Sequence, residues 1–220
     1  MTIIKISKKN LILVIAVLLP YLILSQVQLK GTVKVNSENT PHATVYLVDA
    51  NDKVVAGTVT DDRGYLNIWT YKGSYTAVIK YLGCEEWSKK VSLKNDVHLG
   101  NVELEEKQNA ASSKKFIKKH DNYYELLVNA NKAFNESSLF DVLPEAPGVA
   151  VVKDNIFIVG KEKAEIMINN TLVTYSGKEL IKYLKSISAS KVENIEVYLK
   201  SASQYNIPDK DGLIKIKINI

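Results

Sequence analysis

Four aspartates, Asp49, Asp52, Asp61 and Asp62, offer oxygen ligands in two neighbouring runs, and the chemistry to weigh for them is calcium binding. They sit in Asp49-Ala50-Asn51-Asp52 and Asp61-Asp62-Arg63-Gly64. A calcium loop of the EF-hand kind needs oxygen ligands at alternating positions and a distal glutamate, and neither run supplies them. Asp, Asn and Gly in short runs are also what tight turns are made of, so solvated turn residues are the expected role. Glu193 and Glu196 are carboxylates three apart, but Glu196 falls on an expected strand, so the two form no obvious acid–base pair and a surface role is expected. Cys84 is the only cysteine. It has no partner for an internal disulfide, and it is expected to be a small buried hydrophobe rather than a nucleophile. His42, His98 and His120 are scattered without ligand spacing. No His-Glu-x-x-His, Gly-x-Ser-x-Gly or phosphate loop is present. The sequence thus assigns no catalytic residue, no metal and no cofactor.

The elements that must position these residues begin after a leader. Lys5, Lys8 and Lys9 precede an apolar stretch from Leu11 to Leu24, broken only by Pro20, and Ser25-Gln26 follows. The apolar part is shorter than the ~20 residues of a membrane-spanning helix. A signal peptide over residues 1–26 is expected, and with it export. No lipid-attachment cysteine follows it. Removing the three leader lysines from the formal net charge of +5 leaves +2, too little to argue for a nucleic-acid partner. The 194 residues that remain suit two small domains.

Residues 27–105 read as an all-β unit. Val27, Leu29, Val33 and Val35 alternate with Gln28, Lys30, Thr32 and Lys34, and further short strands follow at regular spacing up to Leu104. Such spacing predicts a sandwich. Residues 106–122 are polar, carry Lys114-Lys115 and Lys118-Lys119, and read as a mobile solvated linker with few contacts.

Residues 123–220 read as a small α+β unit. Tyr123 to Val128 predicts a strand, and Ser138-Leu139-Phe140-Asp141 has the form of a capping motif opening a short helix. Val149 to Val152 and Ile156 to Val159 predict one hairpin; Ala164 to Ile168 and Leu172 to Tyr175 predict another, turned by Asn169-Asn170. Ser176-Gly177-Lys178-Glu179 has the capping-box form before a helix with Leu180, Ile181, Leu184 and Ile187 at helical spacing. Ser190-Lys191-Val192-Glu193 repeats that form. Ile195 to Leu199 and Leu213 to Ile220 predict strands, the second alternating isoleucine with lysine or asparagine.

The first unit resembles the carboxypeptidase regulatory-like domain, a transthyretin-like β-sandwich. The matching residues are Gly31-Thr32-Val33, Pro41-His42-Ala43-Thr44-Val45, Gly57-Thr58-Val59-Thr60-Asp61-Asp62-Arg63-Gly64-Tyr65 and Gly73-Ser74-Tyr75. In the Thr-Asp-x-x-Gly-aromatic run the aspartate and glycine shape a turn, and Tyr65 is expected to start the next strand inside the core. Gly83-Cys84 stands where the family usually has Gly-Tyr. The second unit resembles the plug domain of TonB-dependent outer-membrane receptors. The residues that carry this likeness are Val142-Leu143-Pro144, Pro147-Gly148-Val149, Ile156 to Gly160, Ile168-Asn169-Asn170, Leu180 to Leu184, Ile187-Ser188-Ala189-Ser190, Val192 to Val197, Ser203-Gln204-Tyr205 and Gly212 to Ile216.

Together the resemblances imply a mainly β chain with an α+β part: a transthyretin-like sandwich followed by a small plug-like domain. They imply a non-catalytic exported protein of the periplasm, associated with the outer membrane and related to nutrient-uptake receptors. Its candidate partner is an outer-membrane β-barrel or another envelope protein, with an unnamed ligand. A barrel of about 22 strands of ~10 residues would consume ~220 residues, so this chain is expected to lack a transport barrel of its own, as a truncated or split receptor. Between Glu105 and Asn122 no copy of the apolar box that recruits TonB is found, so TonB coupling is not implied. The alternative is a stand-alone periplasmic or surface module that binds a protein or ligand. The loops that would make contact are at Pro147 and Gly148, Asn169 and Asn170, and Ser203 and Tyr205. Asn135-Glu136-Ser137 and Asn169-Asn170-Thr171 match glycosylation sequons, which carry no meaning in the bacterial setting that the resemblance implies.

Overall fold

The computed structural model describes residues 26–107 and 115–219. The leader, the middle of the connector and Ile220 lie outside the described residues. Half-buried alternation becomes strand wherever one face can be covered. β1 (Gln26–Val35) follows this rule, with Val27, Leu29, Gly31 and Val33 buried and Gln28, Lys30 and Thr32 on the other face. It pairs antiparallel with β2 (Glu38–Asn39) and β5 (Tyr65–Tyr71), and parallel with β8 (Val97–Leu104). β3 (Thr44–Val48), β4 (Val54–Val59), β6 (Gly73–Lys80) and β7 (Trp87–Leu93) form a second sheet in the order β4-β3-β6-β7. Leu29, Leu47, Leu66, Ile79 and Leu93 are fully enclosed between the two sheets. The expected sandwich is what forms.

The turns obey the aspartates. Asp49 Oδ1 accepts from the amides of Asn51 and Lys53 at 2.8 and 3.0 Å, and Asp61 Oδ1 accepts from those of Arg63 and Tyr65 at 2.9 and 2.8 Å. Gly64 has φ +72°, and a Cβ there would lie 2.7 Å from the Val33 carbonyl oxygen. Tyr65 departs from expectation: it faces outward and Leu66 enters the core. The strand is in the opposite phase to the one read from the aromatic, because its buried set is Leu66, Ile68 and Thr70.

The second unit is built on a six-stranded sheet. Its strands are β9 (Ile117–Lys119), β10 (Tyr123–Leu127), β13 (Ala164–Ile168), β14 (Thr171–Leu172), β15 (Val192–Tyr198) and β16 (Gly212–Ile218), in the order β14-β13-β16-β15-β10-β9. β13 and β16 run parallel and the other neighbours antiparallel. Helices α1 (Leu139–Val142) and α2 (Gly177–Ser186) supply Leu139 and Leu184 to the same core as Ile166, Ile195, Ile214 and Ile216 of the sheet. Ser138 and Asp141 make both bonds of the expected capping box. Ser176 makes no side-chain cap bond, and the turn Ala189–Lys191 is capped by Ser188 rather than opened by Ser190. β9 lies within the connector, where no strand was expected.

A separate hairpin, β11 (Val149–Val152) and β12 (Asn155–Ile158), leaves this sheet and reaches the sandwich. Ala150 and Val159 pack with Tyr46, Val48 and Val78 in a buried cluster. Each apolar side chain fully buried in this way contributes about 1.5–3 kcal/mol before entropy is counted. The sequence anticipated few contacts between the units; the structure has a buried apolar seam.

Candidate functional site

The three predicted contact loops part company in the structure. Pro147 and Gly148 are buried in the seam, where the Gly148 amide donates to Thr44 Oγ1 at 2.8 Å. This loop is spent on the chain's own sandwich and is not free for a partner. Three further pairs straddle the two halves: Lys119 with Asp62 at 2.8 Å, Lys107 with Glu145 at 3.7 Å, and Lys153 with Asp52. Two of the four aspartates first considered for calcium thus face lysines. The His42 ring lies 5.3 Å from that of Tyr124, centroid to centroid, and its Nδ1 is enclosed without a partner. Burial holds the His42 pKa below its usual value, with Asp62 opposing and Lys119 reinforcing the shift. Burial raises the Glu145 carboxyl pKa, against the pull of Lys107 and Lys80. Cys84 is buried as expected, its thiol pushed up to about 11 by burial first and then by Glu106.

The other two loops meet on one surface, the outward face of the six-stranded sheet. Asn169 and Asn170 have φ values of 45° and 65°, as the predicted turn requires. Asn169 extends the sheet with its side chain: Oδ1 accepts from the Ile218 amide at 2.8 Å and Nδ2 donates to the Ile218 carbonyl at 3.1 Å. Beside it lies a recess of about 340 Å³ lined by Asn169, Asn170, Asn194, Glu196, Lys215 and Lys217. Ser203 and Tyr205 lie on a short turn above the far end of the same strands, with Ser203 exposed and Tyr205 half-buried.

Between the two loops runs a ladder that loop-by-loop reading missed. Glu196 Oε2 accepts from Tyr198 Oη at 2.8 Å and from Lys215 Nζ at 3.3 Å. The Lys215 ammonium also sits 5.4 Å from the centroid of the Tyr205 ring. Lys217 pairs with Glu193 at 2.8 Å. Asn194 Nδ2 donates to Glu125 Oε1 at 2.7 Å, and His120 approaches Glu125 Oε2 at 3.1 Å. Burial works to raise the Glu125 pKa, but the bonds from Asn194 and His120 outweigh it and the value is lowered. Burial, then the bonds to Tyr205 and Glu196, raise that of Tyr198. Asn194 Oδ1 is enclosed and accepts no bond. The signal was in the sequence: Asn194, Glu196 and Tyr198 alternate on one strand, and Lys215 and Lys217 on its neighbour.

This arrangement presents fixed, alternating charge and hydrogen-bonding groups. It holds no nucleophile beside a base. Among the described residues no three His, Cys, Asp or Glu side chains gather where they could hold a metal ion. Among the described residues, also, no helix is long and apolar enough to cross a membrane.

No family model matches the chain, and no curated protein matches it. Among solved structures, a chain of a type II cohesin-X-dockerin complex from Acetivibrio cellulolyticus aligns with 36% of this chain and 56% of its own length, at 21% identity and a TM-score of 0.31. The TIE protein of Bacillus anthracis aligns with 37% of this chain and 17% of its own, at 19% identity and a TM-score of 0.33. A DUF3823 family protein from Parabacteroides merdae aligns with 47% of this chain and 58% of its own, at 11% identity and a TM-score of 0.29. The likenesses are partial on both sides, and the mainly β architecture rests on the strand pairing itself.

Proposed function

We propose that this chain is a non-catalytic binding module of the cell envelope, whose partner is a protein that docks on the outward face of the six-stranded sheet. The observation that carries the reading is the convergence of the Asn169–Asn170 turn and the Ser203–Tyr205 turn on one polar ladder, centred on Glu196 and Lys215. A surface of paired charges held by neighbouring strands is preorganised, so a complementary partner binds it without the cost of ordering long side chains.

The test is a photocrosslinking residue at Asn170, with a second at Lys89 on the exposed side of β7 as control, in cells that make the chain. A discrete adduct from position 170, absent from 89 and lost on Glu196→Lys, is the expected result. Adducts of equal yield from both positions, or from neither, would overturn the reading.

A second reading keeps the receptor resemblance: the module as the periplasmic and plug-like portion of a TonB-dependent uptake system. Its support is that much of the stretch carrying the likeness, β13, β15, β16 and α2, builds one sheet and the helix that shares its core. Co-purification of the chain with an outer-membrane barrel would favour this reading; co-purification with none would count against it.

A further inference from the structure

Six large apolar side chains are exposed among the described residues; three of them, Tyr65, Trp69 and Tyr71, lie on β5, and a fourth, Val55 of β4, lines a groove with Trp69. Tyr65, Trp69 and Tyr71 are 36, 56 and 49% exposed. They stand on the outward face of β5 with Asn67 between them. Strand geometry places the Cβ atoms of Trp69 and Tyr71 about 7 Å apart on the same face. Polar groups flank them from β1: Gln26 lies opposite Tyr71, Gln28 opposite Trp69, and Lys30 opposite Asn67. Gln28 Oε1 is enclosed and accepts no bond. Trp69 and Asn67 also wall a groove of about 590 Å³ with Val55, whose opposite side comes from the second unit through Phe157, Glu162 and Lys210.

The chemistry of this surface selects its ligand. Aromatic rings held in a row on a strand face offer apolar platforms at little entropic cost. Amides beside them offer donors and acceptors without charge. Lys210 is paired with Glu162 at 3.0 Å, and Lys161 is committed to the carbonyls of Lys200 and Asp209. A nucleic acid strand would need a basic track beside the rings, and an anionic lipid surface a cluster of lysines; Lys30 is the one cation among the β1 residues paired with β5, and a single charge makes neither. What fits is a flat ligand with apolar C–H faces and a neutral, hydroxyl-rich edge.

We propose that the β5 aromatic row and its groove bind a neutral glycan chain, with sugar rings stacked on Trp69 and Tyr71 and hydroxyls met by Asn67, Gln26 and Glu162. This is a different surface from the polar ladder and stands independently of that assignment.

The experiment is affinity electrophoresis of residues 26–220 in gels containing soluble neutral polysaccharides (β-glucan, xylan, mannan), followed by fluorescence titration with hexasaccharides of the type that retards the protein. Trp69 and Trp87 are the only tryptophans, so the Trp87→Phe variant reports Trp69 alone. Retardation by at least one polysaccharide is expected, with at least tenfold weaker binding in Trp69→Ala and Tyr71→Ala and unchanged binding in Tyr175→Ala, an exposed ring elsewhere. Both platform residues are exposed, and an unchanged circular dichroism spectrum confirms that each variant folds. No retardation in any gel, or equal retardation of Trp69→Ala, overturns the proposal. So does Trp69-dependent binding to phosphatidylglycerol vesicles or to a peptide in the absence of any glycan binding, which assigns the row to that partner instead.

Discussion

The amide of Gly148 donates a hydrogen bond to the hydroxyl oxygen of Thr44, 104 residues earlier, at 2.8 Å and out of contact with solvent. A buried amide that loses its acceptor costs about 1–3 kcal/mol. Thr44→Val keeps the shape and removes the acceptor, so urea denaturation should show a loss of that size, and Thr44→Ser should recover most of it. Gly148→Ala should cost more. Its φ is +89°, and the new Cβ would meet the Leu199 side chain at 2.8 Å. Equal stability of Thr44→Val and wild type would mean that the seam bond contributes nothing.

The pH dependence of stability should carry a mark from His42. Its folded pKa lies below the ordinary imidazole value of about 6.5. The unfolded chain therefore takes up the proton first as pH falls. Stability is fully present above about 6.5, declines as pH drops below that value, and stops declining once the folded state is protonated as well. Urea midpoints of wild type and His42→Asn should diverge between pH 8 and pH 5. Asparagine is the suitable replacement because His42 has φ 67°. Parallel curves would remove His42 from the account.

Glu196 and Lys215 should couple more strongly than Glu193 and Lys217. The first pair has side chains 16 and 23% exposed, and Glu196 also receives the Tyr198 hydroxyl. The second pair is 34 and 62% exposed. Double-mutant cycles to alanine should give about 1 kcal/mol for the first pair and about 0–0.5 for the second. Single Glu196→Ala should be the most costly of the four, because it removes the acceptor shared by Lys215 and Tyr198 and leaves Tyr198 only the longer contact to Tyr205. The reverse ranking of the cycles would show that burial does not control this face.

Cys84 should resist thiol reagents in the folded protein. Burial and a thiol raised to about 11 leave almost no thiolate at neutral pH. Labelling by iodoacetamide at pH 8 should rise sharply in urea and follow the unfolding curve. Rapid labelling in native buffer would place the thiol at the surface.

How much of this was readable in advance depended on whether a residue's partner was local. Isoleucines 214, 216 and 218 announce β16 because one face of that strand packs inward and the other meets water. Asn169-Asn170 announces its turn because the positive φ is a property of those residues alone. The Pro147–Gly148 loop was legible as a turn but not as a seam, since Thr44 and Tyr46 come from the other half of the sequence. A clue existed. β3 is buried along its whole length, and an unbroken run such as Ala43 to Val48 marks a strand covered on both faces. The polar ladder hid for a related reason: Glu196 and Lys215 look like ordinary surface residues until the pairing of β15 with β16 sets them opposite each other. Tyr65 misled because an aromatic at a strand start says nothing about phase.

The position of β16 has a consequence for how the molecule comes together during synthesis. It comes latest in order among the described strands, yet it lies inside its sheet, hydrogen-bonded to β13 on one side and β15 on the other. While a ribosome is still adding residues before Gly212, the sandwich has every strand it needs, whereas β13 and β15 are two open edges with an empty lane between them. Assembly is therefore ordered in time: the first unit can finish early and serve as a platform, and the second snaps shut only when its middle arrives.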